Sequence, residues 1–231
     1  MKLICDRTLL ANAIAGVSKA VTQRSSIPVL EGILMKAEGF SLTLTGYDLE
    51  MGITTTIEAN VLEPGDAVLP AQVLDDMVRR LPSEEVEINA QDSGATTIKG
   101  GITEFDIMGL NPGDFPDLPN PGADRTLDMG TADLQEMVDT TLFAVSTDDK
   151  KPAHTGALFS ITPEKLTVVA LDGYRLAIIE KPVQATKEID IIIPAKTLSE
   201  VVKLFGEADE VVHISANRRF VVFATQSYTV I

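Results

Sequence analysis

The chain has 231 residues, 45% hydrophobic and 23% charged, which is enough for two domains of ordinary size with a core each and sets disorder aside. No run of about 18 apolar residues is present to cross a bilayer, and Asp6 and Arg7 interrupt the N-terminal stretch where a secretion signal needs an unbroken apolar core. A formal net charge of −15 excludes a protein that grips nucleic acid over most of its surface: any contact with DNA is expected to be local, weak or topological, or the acidity serves only solubility.

In chain order, Cys5 is the only cysteine, so no intramolecular disulfide forms; a small core residue in a reducing cytoplasm is the expectation. Leu10, Ile14, Val17 and Val21 recur every three or four residues, predicting an amphipathic helix over residues 8 to 21 with Thr8 as its cap. Leu42 to Thr45 reads as a strand, Pro70 to Arg80 as a helix with proline in its first turn, and Val86 to Ile88 as a strand again. Asn111 to Gly122 packs four prolines into twelve residues, and the linker it predicts, Asn111 to Arg125, should be stiff, with Phe115 and Leu118 pinned to a domain surface. Helical spacing returns from Ala132 to Ala144, with Thr131 in the place of Thr8. Leu166 to Val169 reads as a strand, Pro194 to Leu204 as a helix, and Val211 to Ile214 as a strand.

The second half therefore repeats the first, at an offset of 124 residues. Leu10, Ile14 and Val21 correspond to Leu134, Val138 and Val145; Gly32 and Leu34 to Gly156 and Leu158; Asp48 to Asp172; and Leu69-Pro70-Ala71 to Ile193-Pro194-Ala195. The copies lose step by about two residues between Leu81–Val86 and Phe205–Val211, as a surface loop permits. The expected class is α+β: two tandem domains, 1–122 and 128–231, each with two helices on one side of antiparallel sheets of roughly eight strands.

Catalytic constellations are missing. There is no phosphate-binding glycine loop, nucleophile elbow, His-Glu-x-x-His or cysteine pair. His154 and His213 read as satisfied or solvated side chains, and Asp48 with Glu50, Asp75-Asp76 and Asp148-Asp149 as turns and solvated edges, so neither a metal nor a cofactor is expected. A two-domain enzyme using Asp48, Glu50 or Asp172 as acid and base is one alternative, without a third catalytic partner; a free-standing acidic peptide-binding module is another.

Five stretches in register on this duplicated unit carry a resemblance: Ile27-Pro28-Val29-Leu30, Thr45 to Met51, Leu69-Pro70-Ala71, Asp114-Phe115-Pro116-Asp117-Leu118 and Leu171-Asp172-Gly173-Tyr174-Arg175-Leu176-Ala177. From Met1 to Ile231 the chain resembles the bacterial sliding clamps, the beta subunits of DNA polymerase III. The resemblance implies the DNA-clamp fold and a non-catalytic accessory subunit of a DNA-directed DNA polymerase. Three domains per chain and two chains head to tail make a ring that encircles duplex DNA, with helices inside and sheets outside. Helices laid across the phosphate grooves let a ring slide without reading bases.

By that resemblance Arg24 matches a DNA-contacting arginine, and Lys19, Arg79, Arg80, Lys150, Lys151, Lys196 and Lys203 are further candidates. The helix bearing Asp133, Glu136 and Asp139 has no base, and its inner face is expected to be neutral at best. The resemblance also places part of a hydrophobic pocket at Leu171, Gly173, Tyr174, Arg175 and Leu176, with Leu176 as the apolar floor and Lys151 at the rim. It would receive short peptides from the polymerase III alpha subunit, the clamp loader and other proteins with a clamp-binding motif. Tyr174 stands where histidine is common in the family, which bears on peptide preference. The chain stops inside the strand-like run Tyr228 to Ile231, so a third domain, and with it the closed homodimer, is expected to be absent.

Overall fold

The computed structural model describes residues 1–119, 126–206 and 210–231, which form two compact units, Met1–Leu118 and Pro119–Ile231. In the first, β1 (Lys2–Asp6) runs directly into α1 (Arg7–Val17). Asp6 is still extended, and its carboxylate accepts a hydrogen bond from the Leu9 N–H at 2.8 Å, so the cap is Asp6 and Thr8 lies inside the first turn. Asp6→Ala is expected to cost about 1 kcal/mol, read from urea unfolding midpoints. The helix also ends sooner than its apolar spacing suggests: the Ser18 hydroxyl donates to the Ile14 carbonyl at 2.6 Å, Ser18–Ala20 tightens into a 3-10 turn, and Val21 is extended.

The rest of this unit is β2 (Gly32–Glu38), β3 (Ser41–Tyr47), β4 (Gly52–Glu58), β5 (Asn60–Glu63), β6 (Gly65–Pro70), α2 (Ala71–Arg80), β7 (Glu85–Ala90), β8 (Ala95–Gly100) and β9 (Thr103–Met108). Its strands run in two antiparallel orders, β5-β1-β7-β8-β9 and β4-β3-β2-β6. Helix α1 lies against α2 and across β3 and β4, burying Leu10, Ile14 and Val17 against a core that also holds Leu74 and Val78. Pro70 sits at the N-cap of α2, one place before the first turn, where its ψ of 118° keeps it extended.

The second unit contains β10 (Leu127–Gly130), α3 (Thr131–Thr141), β11 (Gly156–Ile161), β12 (Lys165–Leu171), β13 (Leu176–Pro182), β14 (Ile189–Pro194), α4 (Ala195–Phe205), β15 (Val211–Ala216), β16 (Val221–Ala224) and β17 (Tyr228–Val230). The strand orders β10-β15-β16-β17 and β13-β12-β11-β14 reproduce those of the first unit, and α3, β12, β13 and β14 begin 124 residues after α1, β3, β4 and β6. Even a single pair repeats: Leu3 opposite Val61 returns as the isolated bridge between Leu127 and Ala185, all that remains of β5 in this copy. The slip of two residues appears as β7 beginning at Glu85 and β15 at Val211; Glu207, Ala208 and Asp209, within that loop, lie outside the described residues. Thr131 does not cap α3. It is buried at the first helical position, where its hydroxyl accepts from the Glu210 N–H, and Gly130 occupies the cap.

Of the linker, Asn111 to Pro119 is described and Asn120 to Arg125 lies outside the described residues. The Leu110 N–H donates to the Val68 carbonyl at 2.8 Å and fastens the segment to β6. Phe115, only 8% exposed, then sinks among Val29, Leu30, Leu34, Tyr47 and Val68, with Leu118 packed beside it. Gly52 makes room for Leu118, since a Cβ there would stand 2.7 Å from its Cδ2. Asn111 to Leu118 is thus a strap across the outer face of the β4-β3-β2-β6 sheet, pinned at both residues expected from the sequence.

Candidate functional site

The basic candidates divide between the units. In the first, Lys19 lies in the turn after α1, Arg24 in the exposed loop beyond it, and Arg79 and Arg80 on the last turn of α2, where cations favour the helix dipole. Helix α1 carries Arg7 and no acid, and α2 balances Arg79 and Arg80 against Asp75 and Asp76; Lys19 and Arg24 are added to that in a chain whose net charge is −15. Arg79 is already engaged: its Nε lies 2.8 Å from both Asp75 carboxylate oxygens. It also borders a cleft of about 490 Å³ between the end of α1 and the start of α2, which Ala15, Val21 and Val73 line.

In the second unit Lys196 and Lys203 are exposed on α4, with Lys203 paired to Glu200 at 2.9 Å, and Lys150 and Lys151 are exposed in the loop before β11. The acidic face of α3 is not left to itself. Lys181 reaches from β13 to both Asp133 and Glu136, leaving Asp139 as the exposed acid on that helix with no ion pair to Lys181. Sequence reading missed this lysine because its partners are 48 and 45 residues away.

The turn between β12 and β13 is built by Asp172. Its Oδ1 accepts from the N–H groups of Tyr174 and Arg175 at 2.9 and 3.0 Å, and its Oδ2 binds the Arg175 Nε at 2.8 Å. Gly173, at φ +94°, supplies the left-handed residue, where the first copy has Leu49 at φ +74° and Asp48 accepting from the Glu50 and Met51 amides. Both aspartates are therefore turn-formers. The Tyr174 and Arg175 amides, with the Arg175 side chain, hold the Asp172 carboxyl well below the usual range, at about 2. The stabilisation it gives the turn is present above the ordinary carboxylate pKa and lost as pH falls through about 2. An NMR carboxyl titration should place its midpoint there; a midpoint at the ordinary value of 3.8 would contradict the bonding.

This turn throws Tyr174 fully into solvent and sets Arg175 over the Phe143 ring, 5.8 Å from its centroid. Tyr174, Arg175, Asp172 and Lys151 line a recess of about 310 Å³ together with Val145 and Asp148. Leu176 opens β13 opposite half-buried Leu171 and is 58% exposed; neither it nor Leu171 nor Gly173 lines that recess, but they adjoin it through the turn. Phe143 is absent from the sequence reading, and Val145 figures there only as the counterpart of Val21. The repeat held a signal for Phe143, an exposed aromatic where the first copy has Lys19. Elsewhere, Cys5 is buried and its thiol is pushed up to about 12 by burial and by Asp6, which keeps it protonated at neutral pH. His213 lies 2.7 Å from Asp128, whereas the buried Nδ1 of His154 has no protein partner.

Comparison with known proteins adds the following. The family described as DNA polymerase III beta subunit, N-terminal domain, matches residues 1–119, and its central domain matches residues 128–231. The beta sliding clamp of Halalkalibacterium halodurans is 35% identical over 226 residues, covering 93% of this chain and 60% of that protein. A DNA polymerase sliding clamp from Bacillus subtilis superposes with a TM-score of 0.96 at 29% identity, over 100% of this chain and 63% of that one. A Pseudomonas aeruginosa sliding clamp bound to griselimycin does so with a TM-score of 0.91 at 27% identity, over the same shares. The chain thus spans about three fifths of the length of these relatives. Among the described residues no helix is long and apolar enough to cross a membrane.

Proposed function

The chain belongs to the DNA polymerase III beta subunit family, and from that membership we propose that it serves as a sliding clamp: a non-catalytic, cytoplasmic processivity factor that encircles duplex DNA and tethers its partners. Residues 1–122 and 128–231 are its first two clamp domains. The partners are the polymerase III alpha subunit, the clamp loader and other proteins with a clamp-binding motif, and the full-length subunit closes as a head-to-tail homodimer. No metal or cofactor takes part.

The observation that carries the tethering role is the turn at Asp172 to Arg175. A carboxylate engaged by two amides and a guanidinium fixes Tyr174, Arg175 and Leu176 before any ligand arrives, which limits the ordering cost of binding. Lys151 stands across the same recess, suited to a carboxylate on the incoming peptide. The DNA role is supported by acid-free α1 and by Lys19, Arg24, Arg79 and Arg80 on one unit, with Lys150, Lys196 and Lys203 on the other; sequence-independent, weak contact is what so acidic a chain permits. The experiment is a titration of the chain into a labelled peptide carrying the alpha subunit's clamp-binding motif, followed by fluorescence anisotropy. Saturable binding that weakens when Arg175 is replaced by alanine is expected; a flat titration would remove the tethering site from this unit.

A further inference from the structure

Matching strands of the two units carry opposite charge. In the first, residues 85–108, which make β7, β8 and β9, hold five acids, Glu85, Glu87, Asp92, Glu104 and Asp106, against the single base Lys99. In the second, residues 211–230, which make β15, β16 and β17, hold no acid and two bases, Arg218 and Arg219, in a chain with 34 acidic residues. The neighbouring strand β10 adds Asp128, and that carboxylate is engaged by His213 at 2.7 Å.

Both arginines sit at the tip of the turn between β15 and β16, where the first unit has Asp92 and Ser93. Five residues join the paired Ala90 and Thr96, and only four join Ala216 and Val221. The shorter turn is closed by the Asn217 N–H donating to the Phe220 carbonyl at 2.9 Å, and the Asn217 Oδ1 accepts from the Arg219 and Phe220 N–H groups at 2.8 Å each. Its base is fixed too, since the Ala216 N–H donates to the hydroxyl of buried Thr126 at 3.0 Å. Arg218 and Arg219 are exposed, and among the described residues neither forms an ion pair. Asp92 and Ser93 are equally exposed, although the segment beginning at Gly109 runs beside their turn and bonds to its Gly94 carbonyl at 2.8 Å. Exposure at this tip is therefore a property of the turn and not of what lies next to it.

We infer that the turn bearing Arg218 and Arg219 is a docking site for a short acidic segment of a partner protein, with neighbouring carboxylates meeting the two guanidinium groups. A guanidinium takes a carboxylate through two parallel N–H donors, and both arginines are carried on a turn already ordered before contact. The charge of the chain selects the size of the occupant. At −15 the rest of the surface repels a polyanion, and screening cuts in only beyond about 8 Å in physiological salt. A nucleic-acid strand running past the turn meets that repulsion, whereas a segment of a few acids does not. None of these residues lines the recess at Asp172, so the inference stands whether or not that recess receives clamp partners.

The test is an NMR amide-shift titration of the isotope-labelled whole chain with the hexapeptide Gly-Asp-Glu-Glu-Asp-Gly, blocked at both ends. Saturable shifts are expected at the amides of Arg218, Arg219 and Phe220, and the dissociation constant should rise at least ~5-fold in the double variant Arg218→Gln, Arg219→Gln. Both side chains are exposed, so that variant keeps the fold, which circular dichroism melting verifies. Lys99→Gln, at the exposed base of the matching strands in the first unit, should leave binding as it was. The proposal is overturned if no saturable shifts appear at the turn, or if the double variant binds like the parent. It is overturned equally if Lys99→Gln weakens binding as much, which means diffuse attraction, or if hexathymidylate binds the turn more tightly than the peptide, which makes it a nucleic-acid surface.

Discussion

Leu176→Asp is expected to weaken binding of the clamp-motif peptide at least ~30-fold, a loss of about 2 kcal/mol, which is the scale of a central apolar anchor. The side chain is 58% exposed in the free chain, so the change leaves stability within about 0.5 kcal/mol and the loss reports on the site alone. Two effects add. The apolar contact disappears, and a carboxylate arrives beside a recess that already holds Asp148 and Asp172. Leu176→Ala removes only the first and should weaken binding by a smaller factor. Anisotropy titrations of the two variants against the parent decide it, and binding undiminished in both would take Leu176 out of the site.

Phe159→Ala should cost about 3–5 kcal/mol of stability, a large share of what a domain of this size possesses. Phe159 on β11 is 1% exposed and meets Phe223 on β16 edge to face, with ring centroids 6.4 Å apart and planes at 79°. The pair joins the two sheets of the second unit, so truncation opens a cavity between them that neither sheet can close without moving the other. Guanidinium unfolding should show the loss confined to one of two transitions, since the units have separate cores. Phe159→Leu, which keeps most of the volume, should restore much of the difference. A cost under about 1 kcal/mol for Phe159→Ala would mean that the sheets do not depend on this contact.

The basic residues offered for DNA illustrate how far side-chain type carries an argument. Arg79 and Lys203 are candidate DNA contacts in the sequence reading; in the structure each is held by an acid four or three residues away, Asp75 or Glu200, a spacing visible in the sequence. Lys181 is the opposite case. Nothing local marks it, yet its link to Asp133 and Glu136 changes the charge presented by α3.

The sequence by itself determined the duplication, the order of elements and the turn at Asp48, because these rest on local rules: apolar period, carboxylates that follow a strand, and prolines that no helix or inner strand admits. It also marked Phe115 and Leu118 as pins, since two large apolar residues in a proline-rich stretch need somewhere to be buried. Only the tertiary structure decided which groups distant in sequence meet. Thr131 turned from a helix cap into a buried partner of Glu210, Phe143 came under Arg175, and the strap found its seat among Val29, Leu30, Leu34, Tyr47 and Val68. Those outcomes depend on strand register and on close approaches such as that of Leu118 to Gly52, which exist only once two segments far apart in the chain are brought within a few ångströms.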